Sequence, residues 1–559
     1  MSNSQKTLVE LAHSAKKLVR RLRTIKVGPN HDLPDWRWLN TKSNTGGPRV
    51  LIANSVPAFR NSLLLDSSLA AALTLRGAQV DTLMCDRVLD ACFNCKFTRM
   101  TTGQNFANDK WRDIDTMCAR CDRNSHVFSP NITTPLQYSD YTDPEDQSLI
   151  AEFIRVTKLI DLRSAVFNGV NVGEHAFAGV ARYFATGEPA KEESFDVAAR
   201  KFLSAACQTA LIMRRVIEKR KPDVVVLHHA IYVPQGVICE VAQKAGVRVV
   251  SWTPSYRAGT FIFAHGDTYH RTMLRDDSDS WKHREMNLEQ RLELVTYLKS
   301  RETAKNDWIW FNSDNADLPS EVTRLRSGGS FDYVVSVFPN VYWDAQIHFS
   351  NLVFTGLMDW IRETIELAKL RPRHAFVIRA HPAEVTGMMP SRHRLIDAIK
   401  DEYPNLPSNV FLVASENPTS SYKLAEFADV VVVYGSKLSI ELAALGKPVV
   451  VCGDAWSRGR GFTFDVESRT DYLDAIERAL QSNSTAGSSS RVDLAQRFAY
   501  HFFFRRMIPF EIAQRNENPS EGAFSLSVKS AADLSSRAKG VETICKGILT
   551  GSEFIYECD

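Results

Sequence analysis

The chain has 559 residues, 44% of them hydrophobic and 24% charged. That balance excludes a disordered, collagen-like or disulfide-framework protein and leaves room for two large or three ordinary domains. Lysine and arginine number 68 against 65 aspartates and glutamates, a net +3 that implies no nucleic-acid partner.

Residues 1–44 open the chain, and the first thirty carry seven basic residues against the single acid Glu10. Leu8, Leu11, Leu18, Leu22 and Ile25 recur near the helical period, so this segment reads as a basic amphipathic helix. Such a helix either lies on an anionic membrane surface or docks on its own domain. No apolar run reaches the roughly 18 residues of a membrane span, and no signal-peptide core is present. The expectation is a cytoplasmic protein with a possible peripheral site on the cytoplasmic face of the inner membrane.

Residues 45–270 read as a first Rossmann-like domain. Arg49–Asn54 forms a short apolar run, a helix follows from about Ser62 to Arg76, and Gln79–Met84 is a second strand. The pattern returns at Pro222–Val226, which leads into His228-His229, and at Val247–Trp252. A charged helical connection spans 271–330. A second Rossmann-like domain over 331–485 has strands at Tyr333–Phe338, Ala375–Arg379, Val410–Val413, Val430–Tyr434 and Pro448–Cys452. Helices and a tail fill 486–559. Strands alternating with helices predict parallel sheets, so the fold class is α/β, with two Rossmann-like domains facing each other.

A cysteine-bearing insert occupies about 90–125 of the first domain. Cys92-x2-Cys95 and Cys118-x2-Cys121 enclose 22 residues, a spacing close to paired zinc knuckles. Ten cysteines in a chain of this size fit a reduced compartment. The quartet therefore predicts a structural zinc site, with an iron–sulfur cluster or unligated thiols as the alternatives.

Open parallel sheets bind ligands beyond the carboxyl ends of their strands. In the second half those positions hold Pro339–Asp344, Ala380–Glu384, Ser415–Ser421, Gly435–Glu441 and Gly453–Gly459. Gly435 lets a ligand approach the backbone, and Ser436 can cap the helix that follows, whose N–H groups attract an anion. Plain helix capping by Ser436 is the competing reading. Lys437 adds charge, Ser439 lies within the first turn, and Glu441 could accept from ribose hydroxyls or be a solvated helix carboxylate. His381-Pro382 follows Arg379, and a histidine there can donate to a phosphate or protonate a leaving oxygen. No P-loop and no strand-linked G-x-G-x-x-G occurs. Asp113-Ile114-Asp115 and Asp277-Ser278-Asp279 follow no predicted strand, so they read as chance.

These residues resemble a family. From Pro339–Asp344 through Arg379–Glu384, Asn417–Tyr422, Tyr434–Ala443 and Gly446–Val449 to Gly461–Thr463, the chain is similar to bacterial capsule and surface polysaccharide biosynthesis glycosyltransferases. His228–Gly236 and Gly259–Gly266 resemble the first domain of that group. The resemblance implies a GT-B fold and sugar transfer from a nucleotide-sugar donor to an oligosaccharide or lipid-linked acceptor. The His-Pro and serine motifs also resemble those of CMP-sugar transferases, which implies that His381 and Ser436 face the donor phosphate. Arg379, Pro382, Gly435, Lys437, Ser439, Glu441, Ser420 and Ser421 complete the implied donor side. Glycosyl transfer builds negative charge on the leaving phosphate, which these groups would stabilise with no catalytic metal. An inverting reaction needs a base from the first domain, for which Glu174, His229 and Asp66 are the candidates. Two other readings are a polyol-phosphate transferase using CDP-glycerol and a non-catalytic zinc-bearing scaffold with a degenerate GT-B fold.

Overall fold

Two parallel sheets grow from the two series of short apolar runs. The computed structural model describes residues 34–39, 46–95, 112–128, 131–302, 306–308, 317–327, 329–344, 352–387, 389–482, 488–516 and 523–558. The basic segment at the start of the chain lies outside them.

The first sheet holds β1 (Arg49–Ile52), β2 (Gln79–Met84), β3 (Thr134–Gln137), β4 (Val224–His228), β5 (Arg248–Pro254) and β6 (Thr260–His265). β3, β2, β1, β4 and β5 run parallel in that spatial order, and β6 pairs antiparallel with β5. The second sheet holds β7 (Tyr333–Phe338), β8 (His374–Arg379), β9 (Val410–Val413), β10 (Val430–Val433), β11 (Val449–Val451) and β12 (Phe464–Asp465). It is parallel throughout, in the order β12-β11-β10-β7-β8-β9. All four valines of β10 are buried, as a strand covered on both faces requires.

The strand order reverses between β1 and β4 in the first sheet and between β7 and β10 in the second. At such a switch point neighbouring loops diverge to opposite faces and leave a crevice at the carboxyl ends. The loop after β4 and the loop after β7 meet: the Tyr232 hydroxyl donates to Asp344 Oδ1 at 3.3 Å. The two switch points therefore face each other across one cleft.

Helices α1 (Arg60–Leu75), α2 (Arg112–Asn124), α3 (Val172–Phe184), α4 (Phe195–Arg220) and α5 (Gln235–Lys244) belong to the first domain. α6 (Tyr269–Leu274) and α7 (Leu288–Ser300) lie between the two sheets along the chain. α8 (Leu357–Leu370), α9 (Ala383–Thr386), α10 (Ser421–Phe427) and α11 (Leu438–Ala444) flank the second sheet. α12 (Ser488–Tyr500) follows, and a π-turn over His501–Arg505 redirects the chain. The tail then returns to the first domain. β13 (Ile508–Pro509) pairs with the edge strand β6, and α13 (Lys539–Thr550) buries Val541, Ile544 and Ile548 against the core of α1. This return covers a sheet edge that would otherwise expose unpaired backbone groups.

Asp66, one of the candidate bases, lies inside α1 with no solvent exposure. Asn54 Nδ2, Ser62 Oγ and Trp252 Nε1 all donate to its carboxyl, which ties the end of β1 to β5. A carboxyl sealed there meets no acceptor hydroxyl, so its work is structural. Burial pushes its pKa up to about 7 against the opposing pull of those three donors. The unfolded chain releases the same proton near pH 4. The folded form is therefore the better proton binder, and this contribution to stability is lost as pH rises from about 4 to about 7. Denaturant titrations at several pH values should show Asp66→Asn with a flatter loss of stability over that interval than the parent chain. An unchanged pH slope would remove this account.

Candidate functional site

Asn340 stands just past β7 and Gly435 just past β10, astride the switch point of the second sheet. The Gly435 N–H donates to Asn340 Oδ1 at 3.1 Å, which pins the two strand-end loops together. Ser436, half-buried, accepts through its Oγ from the N–H of Leu438, the first residue of α11, at 3.2 Å, one position ahead of the N-cap Lys437. Its hydroxyl proton stays available to a ligand.

His381 follows β8 on the same rim and is half-buried. Its Nδ1 accepts from the Ala383 N–H at 3.1 Å, a bond set by the turn that Pro382 starts into α9. An accepting Nδ1 puts the proton of the neutral ring on Nε2. Burial, reinforced by the charges of Lys437 and Arg379, lowers the His381 pKa to about 4, with Asp344 opposing. The ring at neutral pH is thus an uncharged Nε2–H donor.

Most of the expected donor-side residues take other roles. Glu441 has no exposure, and three groups converge on it. Lys437 Nζ donates at 2.7 Å, Arg301 Nε at 3.1 Å and the Tyr422 hydroxyl at 2.7 Å. Burial alone would raise that carboxyl, and Lys437 and Arg301 pull it below its ordinary value instead. Glu441 cannot reach a ribose. Lys437 is correspondingly committed: it also sits over the Tyr256 ring at 4.7 Å, and burial with Arg301 nearby lowers its pKa to about 8. Ser439 is sealed in, donating to the Ser436 carbonyl and sharing a hydrogen bond with Ser457.

Arg379 is 1% exposed and spends its guanidinium on backbone carbonyls. It donates to Ala380, Ala414, Asn417 and Thr419, which shapes the loop after β9. Ser420 is buried and caps α10 through the Tyr422 N–H, while Ser421 is the half-buried first residue of that helix. Pro382 is buried at the head of α9.

On the first domain, His229 and Ala230 both adopt positive φ, 67° and 59°. Consecutive left-handed non-glycine residues store strain, a pattern that concentrates at functional sites. The His229 ring packs within 6.1 Å of Tyr232, Tyr269 and His270, and His270 stacks on Trp456 of the second domain at 5.4 Å. Glu174 lies in the first turn of α3 and pairs with Arg271 at 3.1 Å, so it is a bound carboxylate. Asp344 is the cleft carboxylate that sequence reasoning did not single out. It is exposed, held by Tyr232 and close enough to His381 to act on its charge. Its signal was its place in a strand-end loop.

The expected zinc site finds no support in the arrangement of the described residues. Among the described residues no group of three or more His, Cys, Asp or Glu is arranged to hold a metal. Cys92 and Cys95 share a tight turn, with the Cys92 N–H donating to Cys95 Sγ at 3.4 Å. Cys121 Sγ accepts from the Ala58 N–H at 3.3 Å, and Cys118 is on the same helix, α2. The neighbouring Cys95 thiol and burial raise Cys92, and burial raises Cys118 and Cys121. Among the described residues no helix is long and apolar enough to cross a membrane.

Residues 278–485 match the family described as capsule polysaccharide biosynthesis protein. Among solved structures, the chain is similar to a KpsC β-Kdo 2,4 transferase of Thermosulfurimonas dismutans. That match has 13% identity over 46% of this chain and 79% of the other, with a TM-score of 0.32. The corresponding β-Kdo 2,7 transferase gives 13% identity, 48% and 79% coverage and a TM-score of 0.28. The glycosyltransferase SnogD from Streptomyces nogalater gives 13% identity, 81% and 95% coverage and a TM-score of 0.25. At these scores the likenesses identify no residue. Among curated proteins none matches the chain in sequence.

Replacing Glu441 by Gln should leave Lys437 without its carboxylate and Arg301 with Asp307 alone, a loss of about 3–5 kcal/mol for a broken buried pair. Denaturant unfolding of Glu441→Gln measures it, and a loss under about 1 kcal/mol, the range of exposed pairs, would refute the burial argument.

Proposed function

We propose that this chain, which carries a capsule polysaccharide biosynthesis segment at residues 278–485, is a glycosyltransferase of GT-B architecture. It moves a sugar from a nucleotide-sugar donor to a surface or capsular polysaccharide acceptor. The observation that carries this reading is the meeting of His381, Asn340 and Gly435–Ser436 at the switch point of the second sheet, opposite the switch point of the first. A CMP-sugar is the first donor to test, because the His-Pro and serine motifs resemble those of CMP-sugar transferases.

The donor phosphate lies against the His381 Nε2–H and the Ser436 hydroxyl. As the glycosidic bond to phosphate breaks, the sugar gains oxocarbenium character and charge builds on the departing phosphate oxygens. A neutral imidazole in a half-buried site gives a hydrogen bond that strengthens as that charge grows. It does so without first attracting the phosphate as an imidazolium would, which favours the transition state over the ground state. Asp344, across from Tyr232, takes the proton of the attacking acceptor hydroxyl. The cost of opening the buried Glu441 cluster keeps the rim in place during the reaction.

His381→Ala should lower kcat by roughly 10²–10³-fold, the cost of losing one donor to a developing oxyanion, while the thermal midpoint stays near that of the parent. Full activity in that variant would exclude the role. A thermal-shift panel of CMP, CDP and UDP compounds identifies the donor class, since a ligand that binds only the folded state raises the midpoint. A shift with CDP-glycerol alone would favour polyol-phosphate transfer, and no shift with any nucleotide would favour a scaffold. Asp344→Asn should lose transfer by about 10²–10⁴-fold, the range for general-base loss, yet keep the nucleotide-induced shift.

A further inference from the structure

Arg182, in the last turn of α3, is half-buried beside Tyr232, the residue whose hydroxyl reaches Asp344. Its guanidinium lies over two aromatic rings, 4.3 Å from the centroid of Phe93 and 5.1 Å from that of Tyr232. The hydroxyl of the second of these rings, Tyr232, donates to Asp344. The Arg182 Nε is buried and makes no hydrogen bond. Among the described residues no carboxylate forms an ion pair with it. Most buried arginines are neutralised by an acid, because an uncompensated charge in low dielectric is costly. Here the rings hold the plane of the guanidinium by stacking, which fixes it without consuming its charge.

The carboxylate nearest to Arg182 in this chain of contacts is Asp344, on the far side of Tyr232. His228, 4% exposed, sits 5.9 Å from Phe93 and leaves its Nδ1 without a hydrogen bond. Phe59 packs on both Phe93 and His228 and is partly exposed, so an apolar ring face borders the cation. An aromatic face beside a held guanidinium suits a sugar ring carrying an anionic substituent. The apolar face of the sugar lies on the ring, and two N–H groups fork onto the anion.

We infer that Arg182 anchors an anionic group on the acceptor, the carboxylate of an acidic sugar or the phosphate of a phosphorylated one, and thereby brings the acceptor hydroxyl to Asp344. The inference rests on the transferase reading for the word acceptor, but the binding itself needs no turnover. The Arg182–Tyr232–Asp344 chain gives the geometry: the anion is held one tyrosine away from the group that takes the proton.

Direct binding separates the inference from the transferase reading. The full chain, its Arg182→Gln variant and its Arg182→Lys variant are titrated by calorimetry with three probes and no donor. The probes are a glucuronate-terminated oligosaccharide, a hexose 1-phosphate and a neutral oligosaccharide of equal length. The parent should prefer at least one anionic probe over the neutral one by about tenfold or more, the range of a charge-assisted bidentate contact. Arg182→Gln should erase that preference and leave neutral binding unchanged. Arg182→Lys, which keeps the charge but loses the planar fork, should retain part of it. Preference for glucuronate alone points to an acidic sugar, and for the 1-phosphate alone to a phosphorylated acceptor. Equal binding of all three probes by the parent would overturn the inference. So would an Arg182→Gln loss of equal size for neutral and anionic probes, or an unchanged anionic preference in that variant. A parent that shows the preference but never turns over a donor would keep the anion site and sink the transferase reading alone.

Discussion

The fully buried Glu441 carboxylate is the interaction on which the rest of the second domain's rim depends. Lys437, Arg301 and Tyr422 all donate to it, and Arg301 also reaches Asp307. One cluster therefore joins the end of the connecting helix α7 to α10 and α11. The start of α11 is where the chain leaves β10 through Gly435 and Ser436. Buried charges of this kind are costly to separate, so the cluster holds the rim in one position. The proposed reaction needs that fixity, because it meets a developing charge without reorganising.

The two faces of the cleft divide the chemistry. The second sheet offers neutral hydrogen-bond donors, the His381 imidazole and the Ser436 hydroxyl, with its lysine already matched by Glu441. The first sheet offers histidine and aromatic rings around a strained pair, His229 and Ala230, and an arginine held by stacking. Asp344 reaches from one face to the other. The loops do this work because both sheets reverse their strand order at the same end of the cleft.

Much of this was legible in the sequence, and the remainder was not for identifiable reasons. Runs such as Val430–Val433 and Tyr333–Phe338 announce buried parallel strands by length and composition, and the strand-end rule led directly to His381 and Gly435–Ser436. Roles set by distant partners left no trace. Glu441 looks like a solvated helix acid until Arg301, 140 residues earlier, lands on it. Arg379 looks like an anion binder until four backbone carbonyls of neighbouring loops surround it. Asp66 reads as a candidate base near the start of a helix because nothing local shows that α1 is buried on nearly every face. The cysteine spacing is real, but spacing does not set where thiols converge.

Amide hydrogen exchange with and without nucleotide tests the placement of the donor most directly. The account predicts that a bound CMP, CDP or UDP compound protects the amides of residues 380–384 and 434–440, the loops after β8 and β10. Protection concentrated instead at the loops after β4 and β5 of the first domain, with residues 380–384 and 434–440 unchanged, would contradict it.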